Sequence, residues 1–311
     1  MTTILLTNIQ LQLTRIGYPI CIFIGNIAGV IGLYVFLQKT MRRNPCGLLL
    51  IAYMITNILY VNFTILISAL DALFKISPML QSSTFCRIYF YLSFVLAVIP
   101  SYLLSMASID RSFASSHNVH TRLRSTQRFA KLMIAIICLF WILFHLHAFF
   151  TVDIQLFNGV QLVCTFYQGS PATFVTYYNL ICVGLIPLSL MIGFGIQILI
   201  NIKQTGGRLN RINNNRRLII LLIIQVAVYV CLRLPTSCFL IYKEITKFDV
   251  KSSDRFIIEQ FVQTVVFFCQ FIQVSASPLL NLMTTIFRKE LKQAWKKILR
   301  KVNRAFMIEL T

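Results

Sequence analysis

Few residues in this chain have the types and spacing of a catalytic or metal site. His145 and His147 are two residues apart, so on a helix their imidazoles diverge around the axis, and joint binding of a metal ion is not expected. The sequence has no glycine-rich loop for holding phosphate. No pair of carboxylates occurs within its apolar stretches. These features argue against an enzyme and predict neither a metal nor a cofactor.

Two pairs of residues remain that could do specific chemistry. Cys86 and Cys164 could be oxidised to a disulfide. The alternative for them is a pair of free thiols. Asp110 and Arg111 could form a local charge pair that holds the arginine in one rotamer until a partner offers a better contact. Taken alone, the Asp-Arg dipeptide could also be an ordinary basic flank of a membrane helix.

Arg233 stands alone inside a long apolar stretch. A membrane-buried arginine costs at least about 2.5–3.5 kcal/mol and normally faces a cavity or a partner. Two interpretations stay open. Arg233 lines the floor of a ligand pocket and meets a carboxylate, an amide or a carbonyl, or it binds water and the backbone carbonyls that Pro235 leaves free.

Composition decides what kind of element positions these residues. The chain has 311 residues, of which 57% are hydrophobic and 12% charged, and its mean hydropathy is +0.75. A soluble protein carries about twice that share of charged residues, so a soluble enzyme and a disordered chain are both excluded. The net charge of +20 comes from basic residues that lie between apolar runs. We therefore expect a membrane protein and no nucleic-acid partner.

Seven apolar stretches are long enough to cross a bilayer as helices. The stretch Ile154–Ile202 is too long for one helix, and its breaker residues around Pro171 indicate a loop followed by a helix. The chain is therefore predicted to be one all-α domain, 1–311, built as a seven-transmembrane helix bundle. The predicted spans are 16–38, 46–70, 87–109, 130–151, 173–202, 217–242 and 256–287.

The distribution of basic residues predicts the orientation. One set of alternate loops, together with the tail after Phe287, carries 21 Lys+Arg, whereas the other set carries 7. Such a bias places the basic loops in the cytoplasm, so we expect an extracellular N-terminus, a cytoplasmic C-terminus and a location in the plasma membrane. Cys86 and Cys164 then reach the oxidising face. Arg111 lies 25 residues after Cys86, about 38 Å along a helix, and so reaches the opposite face.

Seven motifs now stand in order, each in its own place along the bundle. They are Gly25-Asn26, Cys86 with Cys164, Asp110-Arg111-Ser112, Trp141, Pro187, Leu234-Pro235 and Ser277-Pro278-Leu279-Leu280-Asn281. With these motifs the chain resembles the rhodopsin-like G-protein-coupled receptors over nearly its whole length.

The resemblance implies a role for each motif. Asp110 and Arg111 would be the switch for coupling to a heterotrimeric G protein, and Cys86 with Cys164 the outer disulfide. Three prolines, Pro187, Pro235 and Pro278, would allow helix kinks. Asn281 would belong to the switch of the last span.

Departures from the family pattern are equally informative. Family members carry a sodium-binding aspartate midway along the second span, and the nearest match here is Asn57, so that site is neutral. We expect Asn57 to form a polar core with Asn26, through a hydrogen bond between them. Arg233 replaces a tryptophan, and Asn281 replaces a tyrosine. The sixth span begins without the acid that often tethers the family's arginine, which predicts a loosely held resting state with basal activity.

Ligand classes can be narrowed by what is missing. Amine receptors of the family carry an aspartate where this chain has Ser93, and opsins carry a lysine where it has Phe271. We therefore expect an extracellular ligand that is a short peptide or a small non-amine molecule, in a pocket near Ser93, Arg233 and Phe271. The loop Thr151–Ala172 could form a hairpin over its mouth, as in peptide receptors.

The tail after the last span has an amphipathic pattern. Apolar residues recur every three to four positions among lysines, which predicts a short cytoplasmic helix, 288–302, lying on the anionic inner leaflet of the bilayer. The alternative to a receptor is a multi-pass transporter or channel without G-protein coupling. Such proteins usually show repeats, broken helices or midplane acids, none of which is evident here.

Overall fold

The computed structural model describes residues 2–74, 76–157, 161–167, 169–204, 213–246, 249 and 252–282. Within these ranges seven helical segments are long and apolar enough to cross a membrane, as the sequence predicts, and the chain is a multi-pass membrane protein. We number them spans 1 to 7. They are Leu5–Phe36, Pro45–Phe74, Ser83–Ser115, Gln127–Thr151, Ser170–Asn201, Ile223–Ile245 and Asp254–Leu280.

Several spans combine more than one type of helical turn. Spans 2 and 5 each contain a π-helical segment, and span 4 contains a 3₁₀ turn before its last α-helical turn. The helical segments are Thr2–Phe36, Lys39–Arg42, Pro45–Tyr60, the π segment Val61–Ile65, Leu66–Phe74, Pro78–Gln81, Ser83–Ser115, Val119–Leu123, Gln127–Phe144, the 3₁₀ turn His145–His147, Ala148–Thr151, Ser170–Tyr178, the π segment Asn179–Leu185, Ile186–Gln204, Asn213–Ile245 and Ser253–Leu282.

The bounds differ from the prediction mainly at the ends. The first helix begins at Thr2, because a helix can continue past Arg15 into water although the apolar run that defines the span stops there. The last described helix ends at Leu282. The predicted amphipathic helix, 288–302, and the side chain of Asn281 lie outside the described part of the chain.

Span 3 occupies the centre of the bundle. In its most apolar 18-residue stretch 56% is buried inside the bundle, against 22% in the corresponding stretch of span 4, which lies at the periphery. Side chains of span 3 that are completely buried include Val98, Leu103 and Leu104. The two ends of span 3 define the two ends of the bundle, called below the disulfide end, near Cys86, and the Arg111 end.

The π segment of span 5 is stabilised by tyrosines of two other spans. Pro187 has no N–H, so it cannot donate the α-helical hydrogen bond to the carbonyl of Val183, four residues earlier. The hydroxyl of Tyr229 on span 6 donates to that carbonyl at 3.3 Å, and Tyr102 on span 3 donates to the carbonyl of Cys182 at 2.9 Å. Such bonds let a distorted helix persist in lipid.

Prolines also lie within other spans. Pro235 and Pro278 lie inside the helices of spans 6 and 7, and Pro100 lies inside span 3, where the sequence analysis did not single it out. Whether Pro187, Pro235 and Pro278 act as moving kinks stays a prediction.

A two-stranded hairpin follows span 4. Strand β1, Val152–Phe157, pairs antiparallel with β2, Gln161–Phe166, and Ile154 lies opposite Cys164. The predicted hairpin is therefore confirmed. Its inner face packs at the disulfide end, where Val152 and Phe166 are buried together with Cys86.

Gly47, near the start of span 2, has no room for a side chain. A Cβ atom there would lie 2.2 Å from the carbonyl oxygen of Met41, which is backbone and cannot rotate away. We expect Gly47→Ala to lower the melting temperature of the purified protein, since overpacking costs about 1–3 kcal/mol. Gly193→Ala is the control, because a Cβ atom at Gly193 would meet no atom within 4 Å apart from the backbone of its own helix. Equal melting of the two variants would contradict this packing.

Candidate functional site

At the disulfide end the hairpin is fastened to span 3 by a covalent bond. Cys86 and Cys164 form a disulfide, with their Cα atoms 5.9 Å apart, in agreement with the sequence prediction. Both cysteines are buried, Cys86 completely. The bond joins the start of span 3 to β2, so the hairpin covers this end of the bundle.

Asp153 on β1 adds a polar attachment beside the disulfide. Its carboxylate accepts hydrogen bonds from the Ser83 hydroxyl, from Arg87 Nη2 at 2.8 Å, from its neighbour's backbone N–H at 2.8 Å and from the Tyr167 hydroxyl at 3.1 Å. The hydrogen bond from Ser83, then the one from Arg87, holds the pKa of this carboxyl well below its usual range. The sequence analysis did not single out Asp153, because nothing local to it predicts which helix the hairpin meets.

The Arg111 end holds a buried ion pair. Arg111 Nη2 lies 2.7 Å from Asp110 Oδ2, and the two residues are only 2% and 1% exposed. A second oxygen of the carboxylate accepts from the hydroxyl of Ser125, at 2.6 Å, in the segment between spans 3 and 4. The pair is therefore held on its carboxylate side by a loop residue.

Arg111 also reaches the beginning of span 2. Its Nη2 donates to Asn44 Oδ1 at 2.7 Å. The same oxygen accepts from the backbone N–H of Cys46 at 3.2 Å, which makes Asn44 the N-cap of the helix Pro45–Tyr60. One amide oxygen thus links the arginine of span 3 to the first turn of span 2. Asn44 was not among the residues selected from the sequence.

Ser112, where the family motif has tyrosine, connects span 3 to span 5. Its hydroxyl donates to Gln197 Oε1 at 2.9 Å, and its carbonyl accepts from Asn201 Nδ2 at 3.3 Å. Asn201 also donates to Ser115 Oγ at 3.1 Å. Span 5 is therefore bonded along the last turns of span 3, at the same end as Arg111.

A small cavity lies between spans 2, 3, 6 and 7, midway along the bundle. It has room for about one water molecule. Its lining is largely polar or aromatic. The lining residues are Tyr53, Asn57, Tyr60, Leu96, Ala97, Pro100, Ser101, Tyr229, Arg233, Gln270, Gln273 and Val274.

Hydrogen bonds around this cavity join all four spans. Arg233 Nη1 donates to Gln270 Oε1 of span 7 at 2.9 Å. The hydroxyls of Tyr53 and Ser277 lie 2.6 Å apart, and the Tyr229 hydroxyl donates to Ser101 Oγ at 2.9 Å. Arg233 thus meets an amide, one of the acceptors considered for it, and this amide comes from the protein itself.

Ser93 and Phe271, the other two predicted pocket residues, do not line this cavity. Ser93 Oγ accepts from the Thr64 hydroxyl at 3.1 Å. Phe271 packs edge-on against Tyr18, with ring centroids 5.3 Å apart, and against Tyr60 at 6.2 Å. A ligand contact at either position stays a prediction.

The expected hydrogen bond between Asn26 and Asn57 is not formed. Asn26 instead makes a reciprocal pair with Asn62, with N–O distances of 2.6 and 3.1 Å. The rotation of span 1 against span 2 brings Asn26 beside the π segment Val61–Ile65, one turn further along, and apolar periodicity does not encode that rotation. Asn57 is 2% exposed, and among the described residues neither of its amide atoms has a hydrogen-bond partner.

Comparison with known proteins now identifies the class. The family described as "7 transmembrane receptor (rhodopsin family)" matches residues 26–280, and the chain belongs to it. The match covers spans 2 to 7 completely and span 1 from Asn26 onward. A search of curated proteins found no match to the chain.

Asp153→Asn is expected to loosen the hairpin. Because the pKa of Asp153 is lowered in the fold, its stabilising contribution is present above the ordinary carboxyl pKa of about 4 and is lost as the pH falls below it. The variant should melt at a lower temperature than the parent at pH 7. The gap between them should be constant from pH 7 to 5 and should narrow below about pH 4. Asp254→Asn, an exposed acid at the start of span 7, serves as the control, and an unchanged melting temperature in Asp153→Asn would contradict this assignment.

Proposed function

We propose that this receptor lies in the plasma membrane with its N-terminus outside, binds an extracellular ligand and activates a heterotrimeric G protein in the cytoplasm. The main support for this proposal is that the chain belongs to the rhodopsin family. The orientation is supported by the 21 Lys+Arg in the loops and tail of the Arg111 end, against 7 on the other side. We propose no enzymatic activity and no cofactor.

Activation must release a buried arginine. Arg111 is 2% exposed and is bonded to Asp110 and to Asn44, so a cytoplasmic protein cannot reach its guanidinium in this state. A G protein that binds the open state would shift the population by its differential affinity for that state. The helix of span 6, which contains Pro235, is the element we propose to move.

The ligand that we propose is a short peptide or a small non-amine molecule. Ser93 provides no carboxylate for an ammonium group, and Phe271 provides no amine for a Schiff base. The hairpin presents apolar side chains at its outer part, where Leu156 is 64% and Leu162 is 51% exposed. An exposed apolar hairpin beside the mouth of the bundle favours a partner with apolar side chains, such as a peptide.

A screen of peptides and small metabolites in cells that express a promiscuous G protein would test receptor function. We expect at least one ligand to stimulate nucleotide exchange, and Arg111→Gln to return the signal to that of empty membranes. Arg124→Gln, an exposed arginine on the same side, should keep it. Uptake or ion current in the same cells, without nucleotide exchange, would favour the transporter or channel instead.

Asn44→Ser tests the contact that holds Arg111. Serine is also a good N-cap, so span 2 should keep its first turn, but its shorter side chain loses the amide oxygen that meets Arg111. A hydrogen bond to a charged group is worth about 1.5–3 kcal/mol, so the ratio of active to resting receptor should rise by about tenfold to a hundredfold.

The measurement is ligand-independent nucleotide exchange at matched surface expression. Asn118→Ser changes a similar N-cap, on the short helix Val119–Leu123, and should leave the signal unchanged. If Asn44→Ser signalled no more than the parent, Asn44 would have no part in holding the resting state.

A further inference from the structure

The cavity between spans 2, 3, 6 and 7 has an unusual charge. Its lining in the described structure includes one ionised side chain, Arg233, and no carboxylate. Within the described residues this guanidinium donates to the neutral amide of Gln270. A neutral acceptor orients a cation but does not cancel its charge, so a full positive charge remains next to the cavity in a region of low dielectric constant.

A second polar group at this cavity is the amide of Asn57. Asn57 lines the same cavity and is 2% exposed, yet neither its Nδ2 nor its Oδ1 has a hydrogen-bond partner of good geometry among the described residues. The hydroxyl of Tyr53 is the neighbouring side-chain group that interacts with this amide. A buried amide without partners costs free energy, and native proteins rarely leave one so. Asn57 Nδ2 is therefore available to donate a hydrogen bond to a small acceptor in the cavity.

The size of the cavity limits which ligands it can hold. There is room for about one water molecule, so an organic ligand cannot be accommodated without rearrangement. Chloride is larger than a water molecule, so the cavity would have to widen to admit it, but by much less than for an organic anion. It would accept hydrogen bonds from the guanidinium of Arg233 and from the Asn57 amide, and it would cancel the charge that Gln270 leaves.

We propose that this cavity is a binding site for a small monovalent anion, chloride, held by Arg233 and Asn57 between spans 2, 3, 6 and 7. The anion would fasten span 6 to span 2 and stabilise the state seen here, in which Arg111 is covered. The site goes beyond the proposed receptor function, because occupancy depends on the fold alone and is measurable without a ligand or a G protein.

The test uses the purified full-length chain in neutral detergent. Its melting temperature is measured while potassium gluconate is replaced by potassium chloride at constant ionic strength, so that screening does not change. We expect a saturable rise of about 3 °C, since a ligand that binds only the folded state stabilises it. Bromide should replace chloride, whereas the bulky gluconate should not.

Two variants place the effect at the cavity. Arg233→Gln removes the positive charge, and Asn57→Asp adds a carboxylate that would repel the anion and compensate the arginine. Both should melt at the same temperature in chloride and in gluconate. Arg255→Gln, at the exposed start of span 7, removes an arginine that is bonded to Asp249 and Glu259 and should keep the chloride effect.

Two outcomes would overturn the proposal. The first is equal melting of the parent chain in chloride and gluconate, which would mean that the cavity holds water. The second is a chloride effect that persists in Asn57→Asp or in Arg233→Gln. If Arg233→Gln does not yield folded protein, Asn57→Asp decides alone, because a persistent effect there excludes this cavity. A receptor that couples to G proteins but ignores chloride would leave the proposed function intact.

Discussion

In the hydrocarbon core of a bilayer every backbone N–H and C=O has to find its partner within the protein. An unbroken helix meets this condition by itself, but span 5 contains the π segment Asn179–Leu185 and then Pro187. Two of its carbonyls are bonded by tyrosines from spans 3 and 6. The distortion of one helix therefore depends on the positions of two others, and span 3, central and most buried, is the element around which these positions are set.

Two arginines show how a bundle with few acids places positive charge. Arg111 is paired with Asp110, so the net charge buried there is small, and Asn44 provides an extra acceptor. Arg233 donates to the neutral amide of Gln270 and keeps its charge. The same side-chain type thus serves as a covered contact at one end of the bundle and as a local source of positive potential at its middle.

The number of spans and the disulfide were predictable from the sequence, because apolar run length and the distribution of basic residues follow from the order of residues and leave two cysteines on the same face. The hairpin was suggested by the resemblance to peptide receptors. The rotation of each helix about its axis was not. Asn26 pairs with Asn62 rather than Asn57, and Arg111 has, besides the expected Asp110, a second partner in Asn44, just before span 2. The orphaned amide of Asn57 could not be predicted either, since a missing partner is a property of packed neighbours and not of a motif.

The contact between Arg111 and Asn44 has a consequence for how the resting state responds to its surroundings. An amide neither gains nor loses a proton over the range of pH that a cell experiences. A carboxylate beside an arginine would also stay ionised over this range, but it would add a negative charge next to Asp110. With Asn44 as the acceptor, the link between spans 2 and 3 holds Arg111 without a second ion pair, so less electrostatic attraction has to be overcome when this contact breaks.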